Sequence, residues 1–215
     1  MRRSRWVASA VLVPILLLGA CATAGYTYVK SPDNMAFFKI PSRWTLFNKE
    51  QILVAEGQSL SPAAGQTFSW LVGFDASPQA SINHLFQGVP TSPAVRAEVQ
   101  NMDPQERDTM SLAGIRNSVY PLDQLVQANQ AEILRTKDLV RPGGFYGSQI
   151  DYDVTLGGIA HASQPNLVMR VIQVGLVDPG AHKLYLFYVR CDSHCFRDNQ
   201  RLIDQIVGSW TVKER

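Results

Sequence analysis

The chain has 215 residues, with 20 Lys+Arg against 18 Asp+Glu for a formal charge of +2. Arg2, Arg3 and Arg5 sit in the first few residues, so the remainder holds 17 basic and 18 acidic side chains, a balance of −1. That remainder has no basic cluster, recognition helix or zinc-finger spacing, and nucleic acid is not an expected partner.

The three arginines precede an apolar run, Trp6 to Leu18, interrupted only by Ser9 and Pro14 and followed by Gly19-Ala20-Cys21. About a dozen apolar residues fall short of the roughly 20 that a membrane-spanning helix needs. Residues 1–20 are therefore expected to be an export signal. Leu18-Gly19-Ala20-Cys21 resembles the bacterial lipobox, in which the cysteine becomes the acylated first residue. Cys21 is then the expected lipidation site and residues 21–25 a short acylated tether. Residues 26–215 are expected to form one domain held at the extracytoplasmic face of the cell membrane. Each buried acyl methylene contributes about 0.8 kcal/mol, and two or more chains make such an anchor stable.

Tyr26–Val29 and Met35–Ile40 read as a β-hairpin about the turn Ser31-Pro32-Asp33-Asn34. Leu46–Ala55 is a helix candidate with Asn48 as N-cap and Gln51 three residues on. Gln66–Asp75 reads as a strand, and Ser77-Pro78 opens a short helix carrying Ile82, Leu85 and Phe86. Ala94–Met102 alternates weakly as a strand, Asp103-Pro104 starts a helix, and Pro121 restarts one through Leu122, Leu125 and Val126. Ala131–Arg141 is ambiguous in type. Tyr146–Leu156 alternates cleanly, one face apolar and one polar. Leu167–Val177 and Lys183–Arg190 are apolar at nearly every position, which places them at the centre of a sheet covered on both faces. Ser193–Val207 has a helical stripe, with Ser193 as cap and Gly208 as a C′ glycine, and Ser209–Val212 is a last strand.

Phe38-Lys39-Ile40-Pro41-Ser42-Arg43-Trp44 resembles the F-x-I-P-x-x-W opening of PsbP-like domains. The apolar hairpin, amphipathic helix and Ile206-Val207-Gly208-Ser209-Trp210 resemble that family's finish, and actinobacterial lipoproteins of the LpqN type are similar in layout. The resemblance covers both ends and leaves Gly57 to Arg141 unmatched. It implies an α/β/α sandwich around a mostly antiparallel sheet, and a non-catalytic binding or assembly subunit. It assigns no site residues.

With Cys21 acylated, two thiols remain, in Cys191-Asp192-Ser193-His194-Cys195. Outside the cytoplasm disulfides persist, and a strand-to-helix junction brings two Cα atoms within the span a disulfide needs. Cys191 and Cys195 are thus an expected disulfide. Zinc binding through Cys191, His194 and Cys195 is the rival. It lacks a fourth local ligand, since His84, His161 and His182 are scattered. A redox-active pair would ordinarily have two intervening residues rather than three. Asp151 and Asp153 share one strand face, where a solvated surface is a simpler reading than acid/base work or calcium binding. Pro142-Gly143-Gly144-Phe145-Tyr146-Gly147 opens a strand, so it reads as a turn and not as a phosphate cradle.

No G-x-S-x-G, S-x-x-K, H-E-x-x-H or G-x-x-x-x-G-K motif occurs, so no catalytic residue, metal or cofactor is assigned. The expected function is a lipid-anchored, non-catalytic binding or assembly module of the cell envelope. Its partner would be an envelope protein or a small apolar ligand carried in the sandwich. A hydrolase whose triad is assembled from distant residues is the remaining reading.

Overall fold

The computed structural model describes residues 25–58, 60, 66–156 and 167–214. The expected signal, Cys21, most of the tether and His161 lie outside the described residues. Two antiparallel sheets and a set of helices build three layers. β1 (Tyr26–Lys30), β2 (Ala36–Pro41) and β10 (Thr211–Val212) form a small sheet in the order β1-β2-β10. The large sheet runs β3 (Thr45–Phe47), β4 (Phe68–Asp75), β5 (Ala94–Asn101), β9 (Lys183–Asp192), β8 (Leu167–Val177), β7 (Phe145–Leu156), β6 (Ala131–Arg141). All its pairings are antiparallel. The fold is an α/β/α sandwich about an antiparallel sheet.

The apolar runs β8 and β9 occupy the middle, where covering both faces removes them from water. One face is dry. Phe38 and Ile40 of β2, Trp70 and Phe74 of β4, Val95 and Val99 of β5, and Tyr185 and Phe187 of β9 meet there. The amphipathic helix α5 (Ser193–Ser209) closes that core with Phe196, Ile203, Ile206 and Val207. Phe187 and Trp210 stack at 5.1 Å, and Phe38 packs edge-on against Phe187 at 5.2 Å.

Three separate patches cover the opposite face. α1 (Lys49–Ala55) and a 3-10 turn (Ile82–Leu85) bury Ile52, Leu53 and Leu85 over β4. After the polar α2 (Pro104–Thr109), α3 (Leu112–Arg116) lays Ile115 over Val177 and Leu186. α4 (Leu122–Gln127) lays Leu122 over Ile150, Tyr152 and Val171. Gly175 permits the approach of α3, since a Cβ there would lie 2.4 Å from Ile115 Cγ2.

Local chemistry explains most boundaries. Asn48 and Gln51 form both halves of a capping box, as do Asp103 and Glu106. The following helix expectations need correction. The helix expected from Ser77-Pro78 is only the 3-10 turn. The N-cap of α5 is Asp192, not Ser193, because the Asp192 carboxylate accepts from the Cys195 amide at 2.7 Å. Gly208 does not stop that helix, which runs to Ser209. The ambiguous Ala131–Arg141 is edge strand β6, whose period is broken by a bulge between Ile133 and Arg135. Among the described residues, no helix is long and apolar enough to cross a membrane.

Candidate functional site

Between the α1 patch and the α3–α4 patch the sheet is left with polar side chains, and these line a cleft of about 290 Å³. Strand alternation positions them. Arg96, Glu98 and Gln100 leave β5 on the side opposite Val95, Ala97 and Val99. Register then sets Arg96 against Tyr188, and Tyr188 against Gln173, across three adjacent strands. The next row is Ala94, Arg190, Val171 and Tyr152.

Arg96 is almost fully buried and neutralised twice. Its Nε donates to Glu98 Oε2 at 2.6 Å, and its Nη1 donates to Glu56 Oε1 at the end of α1. Burial alone would lower the Arg96 pKa; Glu98, Tyr188 and Glu56 together hold it above the ordinary value. The remaining carboxylate oxygens are also engaged. Gln100 donates to Glu98 Oε1 at 2.5 Å, and Gln58 donates to Glu56 Oε2 at 3.3 Å. The Arg96 guanidinium lies 5.9 Å from the Phe68 ring centre, another cleft wall.

Three tyrosines complete the polar face. Tyr188 donates to the Leu85 carbonyl at 3.0 Å, and Tyr152 donates to Gln173 Oε1 at 3.1 Å. Gln173 in turn donates to the Ile115 carbonyl at 2.6 Å and to Ser118 Oγ at 3.1 Å, tying the α3–α4 connection to the sheet. Tyr120, in that connection, packs edge-on against Tyr152 at 6.3 Å; its hydroxyl reaches only the Met169 sulfur, at 3.9 Å. Burial pushes all three phenols above their ordinary pKa, so none ionises near neutrality.

Among the described residues, none of the site candidates read from sequence lies in this cleft. Cys191 and Cys195 are bonded sulfur to sulfur at 2.07 Å with Cα atoms 6.0 Å apart, joining β9 to the first turn of α5. A sulfur in a disulfide is not a thiolate ligand, and His194 faces Arg197 at 3.1 Å instead. Among the described residues no three His, Cys, Asp or Glu side chains converge as a metal site. Asp151 pairs with Arg135 at 2.6 Å, and Asp153 with Arg170 through two bonds of 2.8 Å, which makes them a cross-strand ion-pair surface. His84 Nδ1 lies 2.7 Å from Asp75 Oδ2, and the same buried carboxylate accepts the Ser77 and Ser81 amides. Among the described residues no histidine ring nitrogen is hydrogen-bonded to a serine, threonine or cysteine.

No family model and no curated protein matches the sequence. Among solved structures, cyanobacterial PsbP from Synechocystis aligns with 94% of this chain and 100% of its own, at 12% identity and a TM-score of 0.46. The Ran-binding protein Mog1p of Saccharomyces cerevisiae aligns over 88% of this chain and 96% of its own, at 9% identity and 0.45. LpqN of Mycobacterium tuberculosis, described as involved in cell envelope biogenesis, aligns over 88% and 91%, at 13% identity and 0.40.

Proposed function

We propose that this chain is an extracytoplasmic binding module, tethered to a membrane through lipid on Cys21, which takes a polar ligand in the cleft and performs no chemistry on it. One observation carries the reading: charged and phenolic side chains sit buried between two helical patches and wall an open cleft. Polar groups in so buried a place are costly unless hydrogen-bonded, and a paired polar set kept beside an open cleft suits recognition of a polar ligand. The Arg96, Glu98 and Glu56 network holds its members against one another, which keeps the cleft walls fixed in shape. Fixed walls with engaged carboxylates suit selective binding rather than proton transfer. The polar lining favours a polar ligand over the apolar one expected from sequence.

Native mass spectrometry of protein gently extracted from membranes tests this. The expected result is an acylated chain carrying a small non-covalent adduct, which Val119→Trp, enlarging a side chain of the cleft wall, removes. An adduct that survives Val119→Trp places binding elsewhere and sinks the proposal.

A further inference from the structure

Arg96 has two carboxylates; Arg190 has none. Its side chain is fully buried at 1% exposure, and among the described residues no Asp or Glu forms an ion pair with it. Nη2 donates to the Gln87 and Gly88 carbonyls, directly after the cleft residue Phe86. Nε and Nη1 have no acceptor among the described residues. A guanidinium keeps its proton in proteins, so this charge cannot be relieved by neutralisation as a lysine's can. Three tyrosines stand around it: Tyr120, Tyr152 and Tyr188 each have their burial-raised pKa partly offset by the Arg190 charge. Neutral phenols do not balance a cation.

Two residues along a strand share a face about 6.5–7 Å apart, so Arg190 is the next position beyond Tyr188, a cleft wall. Tyr120 also lines the cleft, is only partly buried, and has its hydroxyl held by nothing stronger than a thioether contact. Of the three tyrosines around Arg190 it has the most weakly held hydroxyl. We infer that Arg190 is the anchor for an oxyanion group, carboxylate or phosphate, of a ligand that enters the cleft past Tyr120. The chemistry is selected by what is left over. Both oxygens of Glu56 and of Glu98 are already engaged, whereas the guanidinium offers unused donors and an unmatched positive charge. This inference rests on the cleft being the binding site.

The experiment follows the Arg190 Nε–H signal by NMR in ¹⁵N-labelled protein. Sodium acetate and sodium phosphate are titrated separately, with chloride balancing ionic strength. A saturable shift with acetate identifies a carboxylate group, and one with phosphate a phosphoryl group. Followed on the backbone amide signals of the cleft residues Tyr120 and Tyr188, which the variant retains, Arg190→Met should weaken that anion about tenfold or more, the loss of a charge-assisted hydrogen bond. It should also raise the melting temperature of the anion-free protein, which a purely structural arginine would not do. Two results would overturn the inference: no saturable shift with either anion, or an Arg190→Met protein that melts lower and binds the anion unchanged. An adduct lost in Val119→Trp with no anion response would leave the cleft as the binding site and remove only Arg190's role.

Discussion

Arg96 and Glu98, two residues apart on β5, are joined by a 2.6 Å charge-assisted hydrogen bond between two helical patches, with Glu56 closing the network from the end of α1. Removing one member leaves a buried charge short of its partner. Glu98→Ala should therefore cost about 3–5 kcal/mol in urea unfolding. Replacing both partners, Arg96→Met with Glu98→Leu, should recover most of that loss. A single variant within about 0.5 kcal/mol of wild type, the range of ordinary surface substitutions, would show that the network is not held as described.

The Cys191–Cys195 bond closes a short loop between the central strand and α5. Reduction with dithiothreitol should lower stability by about 2 kcal/mol on the chain-entropy model. Thiol titration of unreduced protein, denatured after purification, should find neither cysteine free. Two reactive thiols would contradict the pairing.

Asp33 in the first hairpin turn responds to acid. Burial alone would raise its pKa; hydrogen bonds from the Ser31 hydroxyl, the Lys183 ammonium at 2.9 Å and the Met35 amide hold it below the ordinary carboxylate value. A carboxylate depressed in the folded state stabilises fully above its unfolded pKa, near about 4, and loses that contribution as pH falls through the folded value. The stability gap between wild type and Asp33→Asn should be widest near neutral pH and close in acid. Urea unfolding across pH checks this, and a gap independent of pH would refute it.

On the proposed lipidation of Cys21, Cys21→Ala should release the protein from membranes, because acyl chains would supply the anchoring free energy. Fractionation after alkaline wash is the measurement. Retention of the variant in the pellet would remove the tether from the proposal.

Much of the layout was legible from residue order. The alternation of Tyr146–Leu156 marked β7, and two runs apolar on both faces marked β8 and β9 at the sheet's middle. The Asn48–Gln51 capping box was visible as a pattern and formed as such. The cleft was not legible, and Arg96 and Glu98 show why. Alternation reports that a strand has two chemistries, but a polar face reads as solvent-facing until something covers it. Arg190 ends an apolar run, where a charge looks like a terminus rather than a buried group. The type of β6 stayed hidden because its bulge breaks the two-residue period and its edge position leaves most side chains exposed. One local signal could have pointed to the site: β5 places Arg96 and Glu98 between Val95, Ala97 and Val99, a strand otherwise composed for the interior.

The dry and polar faces of the central sheet assign neighbouring residues to different tasks. Val95, Ala97, Phe187 and Val189 belong to the aromatic core, while Arg96, Glu98 and Tyr188 wall the cleft and Arg190 is the next position beyond them. Recognition and apolar packing are therefore written on alternate positions of β5 and β9, with Arg96 and Glu98 bound to change together so that neither buried charge loses its partner. Randomising those four polar positions while holding the alternating apolar ones is a route to descendants of one scaffold with different tastes.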